Sequence, residues 1–115
     1  MTVTIYHNPK CETSRNALGF IRERNITPTV IEYLRTPLDK AALKALIATL
    51  GVSAKDIVRW KEKETVAKAG ISESDSEAAL IEAMAAHPIL LNRPIVITPK
   101  GAKLCRPSET VKELL

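Results

Sequence analysis

Apolar and polar positions along the chain follow two periods, and the switches between them mark the elements. Val3-Thr4-Ile5-Tyr6 is short, β-branched and aromatic, and it runs into the turn-forming pair Asn8-Pro9, which predicts a first strand. After Cys11, Thr13 and Ser14 offer N-cap oxygens, and Ala17, Leu18 and Ile21 recur at helical spacing until Asn25 and Pro28 end the pattern. Thr29 to Tyr33 is a second β-branched run. Asp39 can then cap a helix whose Leu43, Leu46, Ile47 and Leu50 fall at i, i+3, i+4 and i+7 before Gly51 closes it. From Ser53 to Ala86 the residues favour helix: Ser53-x-x-Asp56 has the form of a capping box, and Ser76 can cap a run through Leu80, Ile81 and Met84 that stops at Pro88. Ile95 to Thr98 and Ala102 to Cys105 flank Pro99-Lys100-Gly101 as a β-hairpin, and Pro107-Ser108 opens a last helix through Val111, Leu114 and Leu115.

Two βα units feeding a parallel pair of strands, followed by a hairpin and a covering helix, describe a small mixed sheet with helices on its faces. The expected fold is therefore α/β: a thioredoxin-like mixed four-stranded sheet with flanking helices and a helical insertion at about 39–86. With 115 residues, the whole chain, 1–115, is expected to form one domain. No internal repeat, low-complexity tract or linker interrupts it.

Composition narrows the function classes. Hydrophobic residues make up 45% and charged residues 26%, which is ordinary globular usage and excludes disorder, collagen and coiled coil. The aromatics are Tyr6, Phe20, Tyr33 and Trp60, too few for a base-stacking platform. Seventeen Lys and Arg against thirteen Asp and Glu give +4, with the signs interleaved, as in Arg22-Glu23-Arg24 and Lys61-Glu62-Lys63-Glu64. That alternation marks solvated helix faces rather than a basic stripe for nucleic acid, so the modest excess suits a small anion better. There is no basic segment leading into an apolar run, and no stretch approaches the ~18 apolar residues of a membrane span. A cytoplasmic, monomeric protein with no membrane or nucleic-acid partner is the expectation. Cys11 and Cys105 cannot form a secreted-type disulfide framework, and both are expected as free thiols.

Cys11 carries the first candidate chemistry. It follows a predicted strand and starts a predicted helix, where unpaired backbone N–H groups and the helix dipole favour a thiolate. A cationic His7 would lower the thiol pKa further. Cys11-Glu12-Thr13-Ser14 reads C-x-x-S, so a dithiol exchange at this site is excluded. Cys105 ends a predicted strand and reads as a core residue. Gripping an oxyanion needs guanidinium forks at element ends. Arg93, in Asn92-Arg93-Pro94, precedes a strand, and Arg106, in Cys105-Arg106-Pro107, follows one, each fixed by an adjacent proline. Arg59, in the helical insertion, is a less obvious third candidate.

His7-Asn8-Pro9-Lys10-Cys11-Glu12-Thr13-Ser14-Arg15 resembles the H-N-P-x-C-x-x-S-R signature of the glutaredoxin-dependent arsenate reductase family. A second block, from His87 through Arg93-Pro94-Ile95-Val96 to Cys105-Arg106-Pro107-Ser108-Glu109, resembles that family's C-terminal half, and the likeness spans essentially the whole chain. The resemblance implies a thioredoxin-like fold with a helical insertion, a nucleophilic Cys11 that attacks arsenate, Arg59, Arg93 and Arg106 as oxyanion ligands, and a His7 that helps keep the thiol ionised. It implies a cis bond before Pro94 and supporting positions at Asn8 and Ser14. It also implies glutathione as co-substrate, glutaredoxin as partner, no bound cofactor and no metal. Glu12 stands where members commonly have Gly; a carboxylate there opposes an arriving oxyanion and raises the thiol pKa unless it points away.

Two rivals come from other classes. Spx-type regulators, which bind RNA polymerase without catalysis, share the fold and the cysteine position but usually carry C-x-x-C, against which Ser14 and the Arg93 and Arg106 blocks argue. A monothiol glutathione-dependent oxidoreductase acting on protein disulfides would need Cys11 but not the arginines.

Overall fold

A computed structural model describes residues 1–115, and the chain in it divides into two compact units, Met1–Thr36 with Arg93–Leu115, and Pro37–Asn92. The first unit holds the sheet. Its strands are β1 (Thr4–His7), β2 (Thr29–Glu32), β3 (Ile95–Thr98) and β4 (Gly101–Leu104), in the order β2-β1-β3-β4. β1 pairs parallel with β2 and antiparallel with β3, and β3 pairs antiparallel with β4. This is the thioredoxin-like mixed sheet that the element order predicted. The parallel pair requires a crossover, which α1 (Glu12–Glu23) supplies.

Register matters for function. Tyr6 pairs with Ile95, and Ile95 with Leu104, so the exit of β1, the entry to β3 and the exit of β4 share one end of the sheet. The segments Asn8–Cys11, Arg93–Pro94 and Cys105–Arg106 therefore leave from that same end. One face of the sheet is sealed by Val3, Ile5, Ala17, Leu18, Ile21, Val96, Cys105, Val111 and Leu114, with Phe20, Ile26 and Leu115 packed against them. Each fully buried aliphatic side chain in that group contributes about 1.5–3 kcal/mol.

Two local expectations change. The last helix, Ser108–Leu114, is 3₁₀ rather than α. Its buried residues are Ser108, Val111 and Leu114, a spacing of three that matches the 3₁₀ repeat. α1 begins at Glu12 with Cys11 as its N-cap, so neither Thr13 nor Ser14 caps it.

The second unit, Pro37–Asn92, is the helical insertion, a few residues longer at each end than the periodicity indicated. It contains α2 (Lys40–Leu50), α3 (Lys63–Ala69) and α4 (Glu77–Ala86), with short 3₁₀ turns at Ala54–Ile57 and Pro88–Leu90. Asp39 caps α2 by accepting from Ala42 N at 2.8 Å, and Gly51 ends it at φ +69°, a left-handed conformation that glycine adopts without strain. Ser76 caps α4 from Ala79 N at 3.2 Å. Leu43, Leu46, Ile47, Ile57, Leu80, Ile81, Met84 and Leu90 are buried in this unit. No helix of either unit is long and apolar enough to cross a membrane.

Candidate active site

The strand–turn–helix segment at the N-terminus is fixed by Asn8, which is buried. Cys11 N donates to Asn8 O at 3.0 Å, closing a turn with Pro9 and Lys10 at its corners. Lys10 N donates to Asn8 Oδ1 at 3.0 Å, and Asn8 N donates to Ser14 Oγ at 3.1 Å. Asn8 thus uses its N–H, its carbonyl and its side chain to shape one loop, a use of Asn typical of turns. Arg15 adds a second brace: its Nη1 donates to Pro9 O at 3.0 Å, from the first turn of α1 back to the loop before it. The sequence offered no role for Arg15 beyond its place in the motif, although a long cation one turn into a helix is suited to reach back over the entering chain.

Cys11 sits at the N-cap of α1, with φ −96° and ψ 120°, and its side chain is half-buried. Burial pushes its thiol up, but the backbone N–H of Ser14 and the guanidiniums of Arg106 and Arg93 overcome that, leaving it below the ordinary value. The sulfur closes no well-formed cap bond; the Ser14 N–H nonetheless favours negative charge on it, as the orphan donors of a helix start do. Arg106 Nη1 donates to Cys11 Sγ at 3.8 Å and to Arg93 O at 2.9 Å. Arg93 is buried, with a relative exposure of 6%. The peptide bonds Arg93–Pro94 and Arg106–Pro107 are both cis, and Cys105 N donates to Pro94 O at 2.8 Å.

His7 differs from the cation that the sequence suggested. It is buried at the end of β1, and burial lowers its pKa; Glu32 opposes this, and Arg22 and Arg15 reinforce it. The ring is therefore neutral at pH 7. Its Nδ1 lies 2.6 Å from Ser14 Oγ. The same Oγ accepts from Asn8 N–H, so Ser14 ties the ring to the loop that carries Cys11. His7 therefore bears on Cys11 through Ser14 and the loop, not by imidazolium charge, and Cys11 owes its lowered pKa to other groups.

The sheet unit thus brings together Cys11, His7, Asn8, Ser14, Arg93, Pro94 and Arg106. Arg59 belongs to the helical unit, where its N donates to Leu90 O at 2.7 Å, its Nε to Glu62 Oε1 at 3.3 Å and its Nη1 to Asn92 Oδ1 at 3.4 Å. Glu12 is exposed and is not among the groups that move the thiol. Cys105 is fully buried, and burial pushes its thiol up to about 12, so it is inert at neutral pH. No group of three His, Cys, Asp or Glu side chains could hold a metal ion.

Chemically, a half-exposed thiol whose ionisation is favoured by two neighbouring guanidiniums is a nucleophile with an oxyanion cradle. Comparison with known proteins agrees in kind. The ArsC family matches residues 6–114. The arsenate reductase of Rhizobium meliloti (strain 1021) is 51% identical over 117 residues, covering all of this chain and 82% of that one. An arsenate reductase of Escherichia coli is 51% identical over 114 residues, covering 98% of this chain and 80% of that one. Among solved structures, the arsenate reductase from Vibrio cholerae superposes with a TM-score of 0.89 at 42% identity, covering 100% of this chain and 98% of that one.

Proposed function

Because this chain belongs to the ArsC family, we propose that it reduces arsenate to arsenite through a covalent adduct on Cys11, with glutathione as reductant and glutaredoxin as the recycling partner. The observation that carries the proposal is the contact of Arg106 Nη1 with Cys11 Sγ at 3.8 Å, on a thiol held below its ordinary pKa.

In this reading the Cys11 thiolate attacks arsenic(V) and an arsenate oxygen leaves as water after protonation. Arg93 and Arg106 offset the charge of the crowded adduct. Glutathione thiolate then bonds to the Cys11 sulfur; the electron pair of the broken S–As bond stays on arsenic, which departs as arsenite. Cys11 is left as a mixed disulfide with glutathione, and a glutaredoxin thiol removes the glutathionyl group to restore the thiolate. The chain has no second thiol at Ser14, and Cys105 is buried, so an external thiol is the natural resolver. Asn8, Ser14 and neutral His7 act as positioning residues for the loop. Assignment of Arg59 as a third oxyanion ligand rests on the family motif alone.

The test is a coupled assay with arsenate, glutathione, glutaredoxin, glutathione reductase and NADPH. Arsenate-dependent NADPH oxidation is expected, abolished by Cys11→Ser and retained by Cys105→Ser. Wild-type protein that consumes no NADPH on arsenate addition overturns the proposal.

A further inference from the structure

Resting on the reduction reading, we propose that Lys10 and Glu12, on either side of Cys11, form a recognition pair for a zwitterionic thiol, one bearing both an ammonium and a carboxylate, as glutathione does. Both residues are exposed, and neither side chain is engaged in an ion pair or hydrogen bond. The neighbouring cations have other assignments: Arg15 is held on Pro9 O, and Arg106, anchored on Arg93 O, faces the sulfur. The backbones of the pair are nonetheless fixed, Lys10 by its N–H to Asn8 Oδ1 and Glu12 as the first residue of α1. Two rigid attachment points thus carry two free, opposite charges, each one Cα step of about 3.8 Å from the nucleophile.

The sign pattern decides what the pair suits. Lys10 alone would enrich the site in any anion, including arsenate. Glu12 cancels that enrichment at long range and puts an exposed ammonium acceptor on the first residue of α1, outside the groups that act on the sulfur itself. Such a pair gives a simple oxyanion nothing, but it fits a ligand whose own charges lie on both sides of its sulfur. In γ-glutamyl-cysteinyl-glycine the thiol belongs to the middle residue; the glycine flank ends in a carboxylate alone, and the only ammonium lies on the glutamyl flank, paired there with an α-carboxylate. Lys10 takes the glycine carboxylate and Glu12 the ammonium.

Thiol–disulfide exchange tests this without arsenate. The Cys11 thiolate attacks one sulfur of a disulfide, forms a new S–S bond and expels the other half as a thiolate, so no further oxidant is needed. Rate constants are measured by intact mass for oxidised glutathione, for the dicarboxylate 3,3′-dithiodipropionate and for neutral bis(2-hydroxyethyl) disulfide, with Cys11→Ser as the zero. Dividing each charged rate by the neutral one cancels changes in thiolate fraction. Glu12→Gln is expected to lower the glutathione ratio about two- to fivefold, the size of an exposed charge contact, and to raise the dicarboxylate ratio. Lys10→Gln is expected to lower both. If Glu12→Gln leaves the glutathione ratio unchanged or raises it, or Lys10→Gln leaves it unchanged, the inference is overturned. Should the arsenate assay fail while these ratios shift as stated, the reduction reading falls and the recognition pair stands.

Discussion

Arg106 and Cys11 lie 95 residues apart in sequence, yet Nη1 of the first is 3.8 Å from Sγ of the second. The same Nη1 donates to Arg93 O at 2.9 Å, so the guanidinium is anchored on the entry to β3 while it faces the thiol. The contact follows from register. Pairing of Tyr6 with Ile95 and of Ile95 with Leu104 delivers the three loops to one end of the sheet before any side chain is placed. A fixed donor needs little reorganisation when charge develops on sulfur or on a bound oxyanion.

Arg106→Ala is therefore expected to raise the Cys11 thiol pKa and to cut arsenate turnover by about 10²-fold, the usual loss for one oxyanion donor. The pH dependence of Cys11 alkylation by iodoacetamide reads the first effect, and its midpoint should move up. Arg106→Lys keeps the charge but not the fork, and should recover more of the thiol shift than of the turnover. An unmoved midpoint in Arg106→Ala would show that the contact does not act on the sulfur.

Ser14→Ala removes the acceptor of Asn8 N–H and the partner of His7 Nδ1 from a fully buried position. A loss of about 1–3 kcal/mol in unfolding free energy is expected, the cost of leaving a buried donor unsatisfied. Urea denaturation at pH 7 measures it. A loss under about 0.5 kcal/mol, the ordinary scatter of surface substitutions, would mean that the loop does not depend on Oγ.

For His7 the expected signature is a titration midpoint below the ordinary 6.5, followed through its ring Cε1 proton by NMR. The linkage sign is definite. A histidine whose folded pKa is lowered binds fewer protons folded than unfolded, so its contribution is present above 6.5 and is lost as pH falls towards the folded value. Acidification from pH 7 should thus destabilise the wild type more than His7→Gln. A midpoint above 6.5 would restore the imidazolium role that the sequence suggested.

Much of this site was legible because it lies in one continuous segment. The β-branched run to Tyr6, the Asn8-Pro9 turn and the apolar triplet Ala17, Leu18, Ile21 place Cys11 at a helix start with no long-range information. The proline-flanked arginines were legible as rigid, but their meeting with Cys11 depends on antiparallel register, which local periodicity does not encode. The charge state of His7 was left open by the sequence because it depends on burial, and alternation shows only which face a residue occupies. Ser14 was read as a cap because its hydroxyl suits one, whereas in the fold Oγ is committed to Asn8 N and His7. The C-terminal helix was read with the wrong repeat: Val111 and Leu114 are three apart, a spacing that both α and 3₁₀ geometry accept.

Cys105 supplies a prediction independent of catalysis. It follows directly on β4 and is closed off from solvent: its N–H is held by Pro94 O, its relative exposure is 0%, and burial pushes its thiol from 9.0 to about 12. An acid whose folded pKa is raised keeps its proton folded after the unfolded chain has lost it. Its contribution is complete below pH 9.0 and is lost as pH rises from there to about 12. The slope is about 1.4 kcal/mol per pH unit, so by pH ~10.5 the wild type should have lost about 2 kcal/mol to this group alone. Other groups titrate in the same window, and Cys105→Ala isolates the thiol, because the two proteins differ only in it. Unfolding free energies from urea curves are expected to fall between pH 8 and pH ~10.5 further in the wild type than in Cys105→Ala, by that margin. Equal falls in both would mean that the buried thiol ionises as easily as an exposed one. The division between one reactive and one inert thiol would then rest on solvent access alone.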